Sequence, residues 1–200
     1  MSIFRRSPAW DAVTYWSIDL ETGGFEPRRD AILAVGMVPI RGGLVRMREA
    51  YRTLVRPDDG SAIDPRSIRA HQLVWGEVRE APPLPDVLRE VDRRLREGVM
   101  LVHFRRIELG FLEAAFRRHG IPWKKPSVVD TFDLLLRRAR LRNPLAPAED
   151  VTLNLSEARK EMGLPAYDAH DALTDAVATA ELFLKLRLAF GARSLRDLVA

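Results

Sequence analysis

Residues 16–24 read Trp16-Ser17-Ile18-Asp19-Leu20-Glu21-Thr22-Gly23-Gly24, and how this stretch is taken decides the fold. Apolar residues run into two acids, and a small flexible turn follows at once. If Thr14–Leu20 is a strand, its side chains alternate between two faces. Asp19 and Glu21 then project the same way from the strand end. Two carboxylates held that close repel, and a divalent metal between them is the usual stabilising partner. Gly23 and Gly24 let the backbone turn and leave room for a ligand to approach the main chain. As a string alone, the stretch also fits a strand that ends in a polar turn.

Further along, Ala31–Ile40 is a long apolar run with Gly36 and Pro39 near its end, and it predicts a second strand. Arg41-Gly42-Gly43 is a turn, and Leu44–Arg56 reads as a third strand, completing an antiparallel meander. Asp64-Pro65 starts a short helix, with Asp as N-cap and Pro at the first helical position. Ala81-Pro82-Pro83-Leu84-Pro85 is a rigid connector, and Asp86–Arg96 repeats Val87, Leu88, Val91 and Leu95 at helical spacing. Val99–His103 predicts a short buried strand, Arg106–His119 a helix closed by Gly120, and Ser127–Val129 one more strand. Helices are expected over Thr131–Arg140, with Asp130 as N-cap, over Thr152–Met162 and over Asp171–Phe190, with a loop at Asn143–Ala148 and a short terminal helix at 193–199. Residues 1–13 read as a loosely attached lead-in, anchored by Trp10, and 14–200 as a single domain. The order predicts an α/β fold, a mixed five-stranded sheet flanked by helices.

Composition narrows the chemistry. The 200 residues contain no cysteine, which excludes disulfides, thiol catalysis and a cysteine zinc site. No apolar run is long enough to span a membrane, and Met1–Arg6 lacks the pattern of a signal peptide, so a cytoplasmic protein is expected. The net charge is +4, and lysine occurs only at 124, 125, 160 and 185, so the basic residues are mostly arginine. Such a surface suits a polyanionic partner, and a genome-wide arginine bias produces the same composition.

Two helices carry acids where apolar residues belong. From Glu108, the same-face positions are Phe111, Leu112, Ala115 and Phe116. A carboxylate in the first turn of that stripe either reaches the core edge or faces something that attracts an anion. In the last long helix, Glu181 and Lys185 mark a solvent face, and Asp175 lies about 100° around from it among Ala172, Ala176, Ala178 and Thr179. His170 sits where the preceding loop becomes the helix, and an imidazole can take a proton from water and release it. It also fits a capping or loop histidine. Four carboxylates in this order can hold two divalent metals about 4 Å apart, the arrangement for in-line phosphodiester hydrolysis.

With these residues assembled, the chain resembles the DEDDh 3′–5′ exonucleases, in particular the proofreading (epsilon) subunit type of bacterial DNA polymerase III. The resemblance spans roughly residues 14–188 and rests on three ordered motifs: Ser17–Gly24, Leu101–Leu112, and Ala169-His170-Asp171-Ala172-Leu173-Thr174-Asp175-Ala176. It implies a ribonuclease H-like fold and two divalent ions, Mg²⁺ or Mn²⁺. Asp19, Glu21 and Asp175 would hold the first, with Asp19 bridging to the second. Glu108 would stand in the second ion's shell, and His170 would be the general base. Thr22 and Gly23 would line the pocket for the terminal nucleotide through backbone contacts. The partner implied is the 3′ end of single-stranded DNA, or of RNA on the same fold. A weak nucleic-acid-binding module is the reading of another class. Two positions depart from the family pattern: Glu108 replaces an Asp, and Phe104 replaces the Asn that follows the motif's His. Arg105 is then a candidate phosphate contact. The only glutamine is Gln72, so no glutamine-led clamp-binding peptide supports association with a polymerase.

Overall fold

The computed structural model describes residues 7–70, 75–96, 98–144 and 154–199. Strand β1 spans Tyr15–Thr22 and occupies the middle of the sheet. Its Trp16, Ile18 and Leu20 enter one apolar cluster, and Tyr15 enters another on the opposite face. A strand covered on both faces reads as a nearly continuous apolar run, as this one does up to Asp19. β2 (Ile32–Arg41) lies antiparallel to β1, with Asp19 opposite Gly36. β3 (Leu44–Val45) and β4 (Tyr51–Leu54) both pair with the outer edge of β2, at Ile40–Arg41 and at Ala34–Met37 respectively. β5 (Val99–Val102) runs parallel to β1 on its other side, and β6 (Ser127–Asp130) parallel to β5. The sheet therefore has six strands in five positions.

The sixth strand arises because the predicted strand Leu44–Arg56 is interrupted by a 3-10 turn at Met47–Glu49. Pro39 supplies the reason. A residue's N–H and C=O point to the same strand edge, and the Pro39 carbonyl accepts from Arg46 N at 2.8 Å on this outer edge. The N–H that proline lacks would have faced the same way, so the ladder loses a bond there.

The described helices are α1 (Pro65–Ala70), α2 (Trp75–Glu80), α3 (Leu84–Leu95), α4 (Glu108–Arg118), α5 (Thr131–Arg142), α6 (Leu155–Glu161) and α7 (Ala172–Phe190). α3 and α4 pack on the Trp16–Ile18–Leu20 face, and α5, α6 and α7 pack on the face of Tyr15. The connector's last residues join α3, because Pro85 falls in its first turn, where an N–H is not needed. α2 has no counterpart in the expected order. α6 starts at Leu155, with Asn154 capping Ser156 N at 2.9 Å. The predicted start of that helix at Thr152, and the loop from residue 145 onward, lie outside the described residues. The terminal helix is a 3-10 turn at Leu195–Asp197 closed by a Ser194–Asp197 capping box.

From Ser7 onward, the lead-in is tied to this end of the chain. Trp10 N donates to Arg193 O at 3.1 Å, Leu195 N donates to Pro8 O at 3.0 Å, and the Arg187 guanidinium lies 4.1 Å from the Trp10 ring centre. Among the described residues, no helix is long and apolar enough to cross a membrane.

Candidate active site

The carboxyl end of β1 presents Asp19 and Glu21 on the side of the sheet that α7 covers. Two contacts bring α7 down onto it. The buried Ser17 hydroxyl donates to Ala176 O at 2.7 Å. Gly36, opposite Asp19, leaves the space: a Cβ there would stand 2.1 Å from the Ala172 carbonyl carbon and 2.2 Å from Leu173 N. Only a glycine lets the first turn of α7 sit this close. Asp171 caps that turn, accepting from Thr174 N at 3.0 Å, and pairs with Arg52 at 2.5 Å. Asp175 follows one turn later. Ligand-type oxygens of Asp19, Glu21 and Asp175 consequently lie within 4.8 Å of one another. The exposed His170 precedes the helix with φ +73°, and its N–H donates to Asp175 Oδ2 at 3.0 Å.

Glu108 opens α4 and is only 4% exposed. It lies outside the close trio, yet near enough that its charge acts on Asp19. Burial pushes the Asp19 carboxyl well above the usual range, and Glu108, then Glu21, Asp175 and Asp171, push it further. Burial likewise raises Glu108, against a hydrogen bond from its own backbone N–H, and Asp130 adds to the rise. Asp175 is raised by burial, opposed by the Tyr167 phenol and the His170 amide.

The cluster fits a divalent cation. Glu108 Oε2 and Asp175 Oδ1 are buried and have no hydrogen-bond partner among the described residues. An all-oxygen donor set of carboxylates suits a hard cation, whose charge would relieve the mutual repulsion. Asp19, Glu21 and Asp175 can hold such an ion, with Glu108 beside them.

The profile of the exonuclease family RNase_T matches residues 17–183. The chain belongs to this family. Its fold and strand order are those of a ribonuclease H-like exonuclease domain. The chain is 27% identical over 173 residues to a PolC-type DNA polymerase III of Thermotoga maritima, covering 86% of this chain and 12% of the relative. It is 30% identical over 175 residues to a putative bifunctional exonuclease/endonuclease protein of Mycobacterium tuberculosis, covering 84% of this chain and 26% of the relative. A 3′-5′ exonuclease DinG of Staphylococcus haemolyticus is 28% identical over 174 residues, which cover 86% of this chain and 18% of that protein. The chain thus spans about an eighth to a quarter of these relatives. Among solved structures, E. coli exonuclease I in complex with a dA16 oligonucleotide superposes with a TM-score of 0.72 at 18% identity, over 88% of this chain and 41% of that one. Cell-death related nuclease 4 gives 0.73 at 14% identity, over 91% and 66%. At these identities the likeness is one of fold.

The exonuclease domain's remaining expected site residues stand as follows. The Thr22 hydroxyl donates to Gly24 O at 2.7 Å. Gly23 donates its N–H to Ala31 O at 2.8 Å and accepts from Asp64 N at 2.7 Å, so its amide serves the fold. The room beside both glycines is filled by the chain itself: a Cβ on Gly23 would stand 2.7 Å from Ala62 O, and one on Gly24 2.1 Å from Asp30 Oδ2. Arg105 pairs with Asp133 at 3.3 Å and lines an open cavity of about 440 Å³ with Arg137 and Arg140.

Three residues of the site region escaped the sequence reading. Phe25, 84% exposed, directly follows the glycine turn. Its signal was an aromatic residue in a polar loop. Tyr167 faces Asp175, and its phenol is pushed up by burial and by that carboxylate. Asp130, a helix cap by its place in the sequence, also accepts from Phe104 N and Arg105 N. For the last two, no local pattern exists to find.

Proposed function

We propose that this chain is a metal-dependent 3′–5′ exonuclease that hydrolyses the terminal phosphodiester bond of single-stranded nucleic acid, DNA in the first place. The observation that carries this is the cluster of Asp19, Glu21 and Asp175 oxygens within 4.8 Å at the end of the central strand, with the buried Glu108 carboxylate near enough for its charge to act on Asp19. Asp19, Glu21 and Asp175 would hold one divalent ion, and Asp19 with Glu108 a second. Such ions, Mg²⁺ or Mn²⁺, stabilise the charge on attacking and leaving oxygens and lower the pKa of water from 15.7 toward ~7. His170 would accept the proton of the attacking water. The water oxygen joins phosphorus, the bond to the preceding 3′ oxygen breaks, that oxygen takes a proton from solvent, and a nucleoside 5′-monophosphate leaves a shortened strand with a 3′ hydroxyl.

His170 is suited to this task by its place. Its backbone is tied to a ligand carboxylate, and it is exposed to solvent at the rim. Thr22 and Gly23 would border the terminal nucleotide, with Gly23 contributing shape rather than its N–H. Phe25 offers a ring on which a base can stack. Arg105 would meet a phosphate at the cost of its partly exposed pair with Asp133. The DNA-bound neighbour on the same fold supports a single-stranded substrate.

Digestion of matched 5′-labelled DNA and RNA oligomers with Mg²⁺, Mn²⁺ or EDTA tests the proposal. A metal-dependent ladder shortening from the 3′ end, faster on DNA, is expected. Cleavage of RNA alone transfers the reading to an RNA exonuclease, since sugar choice rests on pocket shape and 2′-OH contacts. A folded protein that cuts neither overturns it in favour of a binding module.

A further inference from the structure

Asp130 ends β6 with 5% exposure, and its carboxylate accepts three main-chain hydrogen bonds. One is the helix cap: Phe132 N donates to Oδ1 at 2.9 Å. The other two come from a different segment. Phe104 N donates to Oδ1 at 2.9 Å, and Arg105 N donates to Oδ2 at 2.8 Å. The segment they hold is strained, because Phe104 has φ +75°, a conformation that bulky residues avoid. The next residue of α5 holds the same turn from its other side. The Thr131 hydroxyl donates to Val102 O at 3.1 Å and meets His103 Nδ1 at 2.8 Å.

The turn leads straight into α4. Phe104 O accepts from Ile107 N at 3.1 Å, Arg105 O from Leu109 N at 3.0 Å, and Ile107 O from Phe111 N at 2.9 Å. The N-cap residue of α4, Ile107, supplies no side-chain cap. Where its first residue, Glu108, stands is therefore set by the shape of the 103–105 turn. We infer that Asp130 is a positioning residue: its carboxylate holds the Phe104–Arg105 turn in its left-handed shape and so places Glu108 beside Asp19. The functional half of this inference rests on the proposed role of Glu108.

The test separates clamp from cap. Asp130→Ser keeps a good N-cap for α5 but is too short to reach the turn. Two readouts are taken. In amide hydrogen exchange, Ile107, Leu109 and Phe111 should exchange about tenfold faster or more in Asp130→Ser, while α5 amides stay near the wild-type rate. Unchanged protection in the first turn of α4 overturns the clamp, whatever Glu108 does. In exonuclease assays, Asp130→Ser should lower kcat about tenfold or more, with KM for the oligonucleotide within about twofold. In a Glu108→Gln background it should lower kcat less than about twofold, because both changes act through one group. Full additivity, or wild-type kcat in Asp130→Ser, overturns the functional half. Full activity of Glu108→Gln alone marks instead a failure of the site reading, and the exchange result still judges the clamp. Adding Phe104→Gly to Asp130→Ser should restore several-fold activity, since glycine adopts the turn without a clamp. If Asp130→Ser does not fold, the near-isosteric Asp130→Asn, which retains one acceptor oxygen, carries the same cycle.

Discussion

Glu108 is one methylene longer than the aspartate of the family pattern, and its carboxylate still reaches the charge of Asp19. Glu108→Gln should reduce kcat about a hundredfold, and Glu108→Asp about tenfold or less, read from oligomer digestion at saturating Mn²⁺. Equal activity of all three proteins would remove Glu108 from the reaction. Asp30 offers a pH test away from the cluster. Burial favours its neutral form, but the Arg29 guanidinium and the backbone N–H of Glu26 and Phe25 outweigh this and hold its pKa below the usual value. The unfolded chain therefore binds this proton more readily, so the stabilisation is present above the unfolded pKa and fades as pH falls toward the folded one. Asp30→Asn should lose less stability than the wild type between neutral and acid pH, checked by denaturant midpoints. At this scale the sequence was informative. Asp19, Glu21 and Asp175 stood out because acids interrupt apolar patterns, and Glu108 because it heads an apolar stripe. Asp130 looked like a cap and nothing more, since its other partners lie 25 and 26 residues earlier in the chain.

The element that most constrains the site is the N-terminal turn of α7, seated on Gly36. Gly36→Ala would force a methyl into backbone atoms, and overpacking of this kind costs about 1–3 kcal/mol. The helix would have to lift, carrying Asp175 from Asp19 and Glu21. The variant should melt several degrees lower and lose most of its activity while keeping the wild-type circular dichroism spectrum. Full activity would show that the seating of α7 is not needed. Element order was legible because period-two and period-3.6 apolar patterns are distinct. The break between β3 and β4 was not, although Pro39 carries its cause, because the edge to which a proline's missing N–H points depends on pairing register. α2 was missed for a related reason: it is short, and Gly76 sits inside it.

For the whole molecule, two aspects reach beyond the site. The first is charge: a net +4 carried mostly by arginine favours a polyanion over the entire surface. Raising salt from about 50 to 200 mM should raise KM for an oligonucleotide strongly and leave kcat nearly constant. A flat KM would mean that phosphates contribute little to binding. The second is closure of the chain ends, where Trp10 is held by Arg193 and Arg187. The sequence suggests a loose lead-in anchored by Trp10 but not the partners of that anchor, because contacts between residues more than 175 positions apart leave no local trace.

On the proposed function, the acids at the end of β1 and in α7 form a hydrolytic centre for 3′ ends. A time course on a 5′-labelled single-stranded DNA oligomer, comparing the wild type with Asp19→Ala and Asp175→Ala in Mn²⁺, decides this. The wild type should give a ladder shortening from the 3′ end, and both folded variants should give none. Undiminished cleavage by either variant would contradict the assignment.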